Sequence, residues 1–317
     1  MIMNISVKSK EKLKLKRIEK EELKFNKKNM KEWGWGYVMI APTIIGLLIL
    51  NIFPAIKTFI LSFQKTGDFG NNVWTGLSNY KKLLTDEVVI SAIGNTFKYA
   101  IIVVPISIIL SLIVAVLLNQ NIKGKSFYRT IYFLPMVAAP AAIAMIWKWL
   151  FNSEFGIINQ ILNLIGINGP MWLSDSKTAL ISIAVVGIWS CIGYNMVLLL
   201  AGLQEIPKDY YEAANVDGAG PIRTFFKITL PLLSPTMFFV VVTSVIGSLQ
   251  VFDTIFMMID KTNVAIEGTQ SLVYLFYKYS FVVNDQGYGS AIVMLLLAII
   301  MVFTFIQLMV QKKWVHY

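Results

Sequence analysis

The sequence predicts an all-α, polytopic membrane protein with six transmembrane helices. Of its 317 residues, 56% are hydrophobic and 15% charged, and its mean hydropathy is +0.65, whereas soluble chains carry about 25% charge. The missing charge is concentrated in long uncharged stretches. Six apolar runs, at 38–61, 97–118, 130–151, 179–202, 229–250 and 291–310, each reach the roughly 20 helical residues that a hydrocarbon core of about 30 Å requires.

The chain opens on a basic segment, 1–36, in which Lys and Glu alternate around Ile5, Val7, Leu13, Leu15, Ile18, Leu23 and Phe25. It lacks the apolar core of a signal peptide, so it reads as a cytoplasmic, interfacial helix or as a flexible basic tail. Trp33, Trp35 and Tyr37 follow, the composition of a chain entering the membrane interface. A first span and outer loop fill 37–91, and the remaining spans fill 92–310 before a short tail, 311–317. The charges inside the runs are Lys57, Lys98 and Lys148, each close enough to an end to snorkel to the headgroups. No ionised group is left at mid-membrane, which argues against a proton- or sodium-driven carrier. Pro42, Pro54, Pro105, Pro135, Pro140, Pro231 and Pro235 each remove an N–H and can kink a span, as in transporters and also in structural bundles.

Basic residues set the orientation. Of 28, 11 lie in 1–36, 3 in 119–129, 3 in 203–227 and 2 after the last span, while the alternate segments hold Lys65, Lys81, Lys82, Lys177, Lys261 and Lys278. The positive-inside rule places both termini and the 119–129 and 203–227 loops in the cytoplasm. The net charge of +10 is therefore a membrane-face property and implies no nucleic-acid partner. The longer outer loops, rich in Asn, Asp, Gly and Tyr, suit a polar ligand or a soluble partner as well as plain solvation.

Catalysis by this chain alone is not expected. Cys191 is the only cysteine and His316 the only histidine, which leaves no intrachain disulfide, no thiolate metal cluster and no well-placed histidine base. Gly124-Lys125-Ser126 ends like a phosphate-binding loop, but the leading glycine position is Asn119 and a membrane helix, not a strand, precedes it. No ATPase is expected in the chain, and no cofactor or metal.

The cytoplasmic segment 207–231 has more structure. Pro207 suits a first helical turn, Asp209 and Glu212 favour its N-terminal half, and Gly218 falls where a left-handed cap is expected. Gly220-Pro221 then opens a second helix that carries Phe225, Phe226 and Ile228 toward Leu230-Pro231. Tyr210, Tyr211, Ala213 and Ala214 supply aromatic area and small residues on the first helix, a combination suited to a groove in another protein or to the membrane interface.

Glu212-Ala213-Ala214, then Gly218, then Ile228-x-Leu230-Pro231 resembles the EAA loop of permeases from binding-protein-dependent ABC importers. YRTIYFLP at 128–135, WKWLFNSEFGIIN at 147–159, WLS at 172–174, GYNMVLLLAGLQEIP at 193–207 and FDTIF at 252–256 are similar to the carbohydrate-uptake subfamily, MalF-like or UgpA-like. The resemblance covers about 92–310 and implies a type-1 importer permease fold. It also implies a second, homologous permease subunit, two cytoplasmic ATPase subunits that bind ATP-Mg, and an extracytoplasmic solute-binding protein. Glu212, Ala213, Ala214, Asp217 and Gly218 would form the element that couples to the ATPase. A Thr-Gly-Gly-Gly-Pro run frequent in relatives is replaced here by Ile259-Asp260-Lys261-Thr262-Asn263.

Sugars are held by aromatic faces against C–H surfaces and by side-chain hydrogen bonds. The fourth span offers Trp189, Ser190, Tyr194 and Asn195, and the end of the fifth offers Ser248, Gln250 and Asp253. These groups would be costly facing lipid, so a water-filled pathway or a helix contact must receive them. The resemblance places Tyr194 foremost as a substrate contact. The chain is thus expected to form half of an importer's pathway for a sugar or oligosaccharide. A permease for a non-sugar such as glycerol phosphate is the alternative, and a stand-alone carrier or channel the remote one.

Overall fold

The computed structural model describes residues 30, 32–67 and 71–315. The 1–29 part of the basic segment and His316 lie outside the described residues. The chain divides into two units, Met1–Ile60 and Leu61–Tyr317. Among the described residues the first unit is built on the long helix α1, Glu32–Leu61, whose last residue falls in the second unit, with a π turn at Leu48–Ile52. That turn precedes Pro54, whose ring would otherwise clash with a carbonyl one turn back.

The second unit begins with a hairpin of β1, Gln64–Thr66, and β2, Asn72–Trp74, followed by α2, Ser78–Thr85. Asn79 Nδ2 donates to Ser62 O at 2.9 Å and Gln64 O at 2.8 Å, which fixes α2 to the hairpin. Next come α3, Glu87–Asn119, α4, Lys125–Val137, α5, Pro140–Leu150, α6, Ile157–Leu164, and α7, Ser176–Glu205. The short α8, Lys208–Val216, leads to α9, Pro221–Leu232, and α10, Ser234–Leu249. The chain ends with α11, Asp253–Met258, α12, Leu272–Tyr277, and α13, Gln286–Trp314.

Six spans result, four continuous and two bent. The predicted third span breaks by 98° between α4 and α5, and the fifth by 69° between α9 and α10. Pro140 stands in the first turn of α5 and Pro235 in that of α10, positions where the absent N–H costs nothing. Pro105, by contrast, sits inside an unbroken α3. The helices also outrun their apolar runs. Asp86 accepts from Val88 N, Asp175 from Lys177 N, and Asp285 from Tyr288 N, so polar caps outside the hydrocarbon set the ends.

Helix α7 is the hub of this unit. Met196, Leu199, Leu200 and Leu203 pack with Ala115 and Leu118 of α3 and Val240 of α10. In lipid, apolar side chains gain little from meeting one another, so close packing at small residues takes over. Gly193 lets α7 lie directly on the backbone of Tyr132 and Phe133 in α4, and Gly202 receives Thr236 and Leu233.

Candidate functional site

The family-like motifs converge around the bend between α4 and α5. Pro135 and Ala138 at the bend, with Ile143 of α5, line both of two adjoining cavities, of about 350 Å³ and about 210 Å³. Trp189 and Trp147 line the larger, their rings 5.6 Å apart edge to face. Ser190 and Asp253 line the smaller, although 63 positions separate them in the chain. The chain turn at Gln250–Phe252 makes this possible by ending α10 and aiming the first turn of α11 at the bend. No basic residue lines either cavity.

The aromatic wall is fixed from behind. Trp147 stacks on Phe151 at 5.3 Å, which lies 5.5 Å from Trp172. Trp172 Nε1 donates to the buried Asn159 Oδ1 at 2.7 Å, and Asn159 Nδ2 donates to Ser153 O. WKWLFNSEFGIIN and WLS are thus halves of one buttress. Lys148, on the same helix as Trp147, donates to Asp260 Oδ1 at 2.7 Å and is neutralised there.

The other predicted pathway residues separate. Asn195 is buried and donates to Ser244 Oγ at 3.3 Å, a helix-to-helix contact. Ser248 is buried and Gln250 exposed, and neither lines a described cavity. Tyr194 is 37% exposed and lines no described cavity, but it lies one turn from Ser190 on the stripe that continues through exposed Val197 and Ala201. Trp147 and the bend itself were missed by sequence reasoning. The aromatic density of 147–151 and the Pro135/Pro140 pair were the available signals.

At the other end of α7 the chain builds a rigid surface helix. Ile206 is buried, and Pro207 in extended conformation starts α8. Gly218, at φ +69°, closes α8 with a Schellman motif: Gly218 N donates to Asn215 O and Ala219 N to Ala214 O. Ala214 is buried, and Tyr211 is half-buried with its hydroxyl 3.3 Å from Thr229 Oγ1. These two residues face the bundle. Tyr210, Glu212, Ala213, Val216 and Asp217 form the outward side, with Val216 88% exposed. After Gly220-Pro221, a π turn at Phe225–Thr229 precedes Pro231, the same accommodation made before Pro54.

Residues 107–316 match the family model described as "Binding-protein-dependent transport system inner membrane component". The chain is 35% identical to the probable ABC transporter permease protein YesP of Bacillus subtilis, over 89% of this chain and 92% of that protein. It is 34% identical to the arabinooligosaccharides transport system permease protein AraP of Halalkalibacterium halodurans, over 86% of each. It is 33% identical to the sn-glycerol-3-phosphate transport system permease protein UgpA of Agrobacterium fabrum, over 89% and 96%. A chain of a bacterial alginate ABC transporter, solved with an alginate pentasaccharide-bound periplasmic protein, superposes with a TM-score of 0.79 at 21% identity, covering 90% of this chain and 96% of that one; at that identity the match establishes the fold. Six spans in this arrangement, the matched family model and relatives aligned over most of their lengths make this chain a member of the binding-protein-dependent ABC transport family, as one of its inner-membrane permease components.

Proposed function

We propose that the chain forms half of the translocation pathway for a neutral sugar or oligosaccharide. One observation carries this reading. The cavities at the α4–α5 bend present two tryptophan rings, a serine and a carboxylate, with no cation among their lining residues. Aromatic faces and hydrogen-bonding oxygens match C–H surfaces and hydroxyls, whereas a phosphate ester calls for lysine or arginine. The relative named for arabinooligosaccharides supports the saccharide. The relative named for glycerol phosphate keeps a second reading open, and Lys148, held by Asp260, does not supply its cation.

In this reading both termini and α8 lie in the cytoplasm, and a second permease completes the pathway along the Ser190, Tyr194, Val197 stripe. A separate ATPase receives the outward side of α8, with Glu212 as its polar contact, and binds ATP-Mg, since no nucleotide loop is recognisable in this chain. An extracytoplasmic binding protein delivers the solute. The test is to reconstitute the assembled complex with its binding protein and measure ATPase stimulation by a panel of saccharides and by glycerol 3-phosphate. Stimulation by at least one saccharide is expected. Stimulation by the phosphate ester alone overturns the assignment.

A further inference from the structure

A third cavity, of about 540 Å³, shares no lining residue with those at the bend. It is bounded by the first turns of α3, the 261–270 loop and α12. Glu87 of α3 lines it, whereas Asn119, at the other end of α3, lines the space behind the coupling helix α8. The 33 residues of α3 rise roughly 50 Å at 1.5 Å each, so this cavity and α8 stand at opposite ends of the bundle.

Two of its lining residues, buried overall, keep side-chain polar atoms open to the cavity. Gln270 is 3% exposed and Tyr274 5%, both line the cavity, and neither side chain has a hydrogen-bond partner among the described residues. Burial, and secondarily Tyr277, hold the Tyr274 hydroxyl above its ordinary range, so at neutral pH it is a donor. Their backbone is held in place: Asn95 Nδ2 donates to Glu267 O and Gln270 O, Leu272 N donates to Thr96 Oγ1, and Ser271 Oγ donates to Val251 O at 2.6 Å. The site is built before anything enters it.

The chemistry around these groups is balanced. Lys261 and Lys278 stand against Glu87 and Glu267, so the lining charges sum to zero and select neither an anion nor a cation. Tyr277 adds an aromatic ring braced by Phe252 at 5.3 Å and Phe256 at 5.0 Å. An amide that both donates and accepts, a hydroxyl donor and a tyrosine ring are complementary to a sugar's hydroxyls and C–H face, and the volume lies in the small-ligand range. We propose that this cavity is a reception subsite for one neutral saccharide unit, occupied before the sugar reaches the α4–α5 bend. The proposal rests on the saccharide-permease reading above.

The test uses the full chain in lipid nanodiscs with maltotriose, xylotriose and arabinotriose as probes, each followed by saturation-transfer NMR and titration. At least one trisaccharide should bind. Tyr274→Phe removes only a hydroxyl with no protein partner, so it should leave thermal stability unchanged and weaken that binding several-fold. Gln270→Leu should weaken it at least tenfold, and Lys278→Ala, at an exposed position, about threefold. Affinity that falls with Ser190→Ala and ignores Tyr274→Phe and Gln270→Leu places the sugar at the bend and overturns the subsite, while the permease reading stands. Absence of binding by all three probes also overturns it. The permease reading is decided separately, by ATPase stimulation of the assembled complex.

Discussion

Replacing Gly218 tests the proposed coupling role of the turn after α8. No heavy atom lies within 4 Å of the place a Cβ would occupy, so a substitution meets no steric wall and its cost is conformational. At φ +69°, a residue with a Cβ is disfavoured by about 1–2 kcal/mol, and a β-branched one by more. Escape from the left-handed region breaks the Gly218 N to Asn215 O and Ala219 N to Ala214 O bonds, each contributing about 0.5–1.5 kcal/mol. Either route releases the end of α8 by about 1–3 kcal/mol, a change of roughly 5- to 150-fold in its native population. Global stability should hold, because Gly218 is exposed.

The expected order of loss is therefore Asn, Ala, then Val, since Asn tolerates the left-handed region best. Gly220→Ala is the control. Gly220 has φ −69°, and nothing lies within 4 Å of its missing Cβ, so alanine fits. The assay is solute-stimulated ATPase activity and uptake by the reconstituted complex, alongside membrane yield of the subunit. Wild-type uptake by Gly218→Val, or equal loss in Gly220→Ala, refutes the coupling role of this turn.

Three further outcomes are expected. Gly193→Ala drives a Cβ into the Tyr132 carbonyl of α4; overpacking of this kind costs about 1–3 kcal/mol, to be read as a lower unfolding temperature in detergent. Removing the Lys148–Asp260 pair as Lys148→Met/Asp260→Asn should change that temperature little, because with side chains 40% and 68% exposed such a pair contributes under about 1 kcal/mol. Tyr194→Ala should impair uptake while leaving yield and subunit stoichiometry intact, a lost contact of about 1–2 kcal/mol; poor assembly with normal uptake per assembled complex would instead make it a packing residue.

What was legible in the sequence follows from where the governing physics is local. Apolar run length located all six spans, and Pro207, Gly218 and Gly220-Pro221 gave the helix, turn and helix of 207–231, because capping and left-handed turns are decided within a few residues. The 98° bend was not legible. Seven prolines were equally able to kink a span, but Pro105 lies in an unbroken helix and Pro140 begins a new one, a choice made by the neighbours each segment packs on. Tertiary pairing likewise separated residues that a linear reading treats alike. Asn195 went to Ser244 and Asp253 to the bend, although both are polar groups the sequence offered as pathway residues. The close seat of GYNM on YRTIYFLP required a glycine at 193, and only the fold shows which backbone that glycine admits.

Helix α7 connects the cavities at the bend with the surface helix α8. It is a 30-residue helix, Ser176–Glu205, without a proline or a π turn, and its later part runs from the cavity wall at Trp189 and Ser190 to Glu205, two residues before Pro207 opens α8. The α4–α5 and α9–α10 spans are instead broken at 98° and 69°, and α9 carries a π turn. Straight helices are stiff and breaks absorb dihedral change. A push on α8 is therefore expected to carry α7 as a rod and to be taken up at the α9–α10 bend. In a Cys191→Ser background, spin labels at Val185 and Tyr210, both exposed, should keep their separation when the assembled complex binds ATP. Labels at Ile222 and Phe239, also exposed and on either side of the 69° break, should change theirs. A constant α9–α10 distance with a changing α7–α8 distance would locate the hinge at Pro207 and reject α7 as the transmitting element.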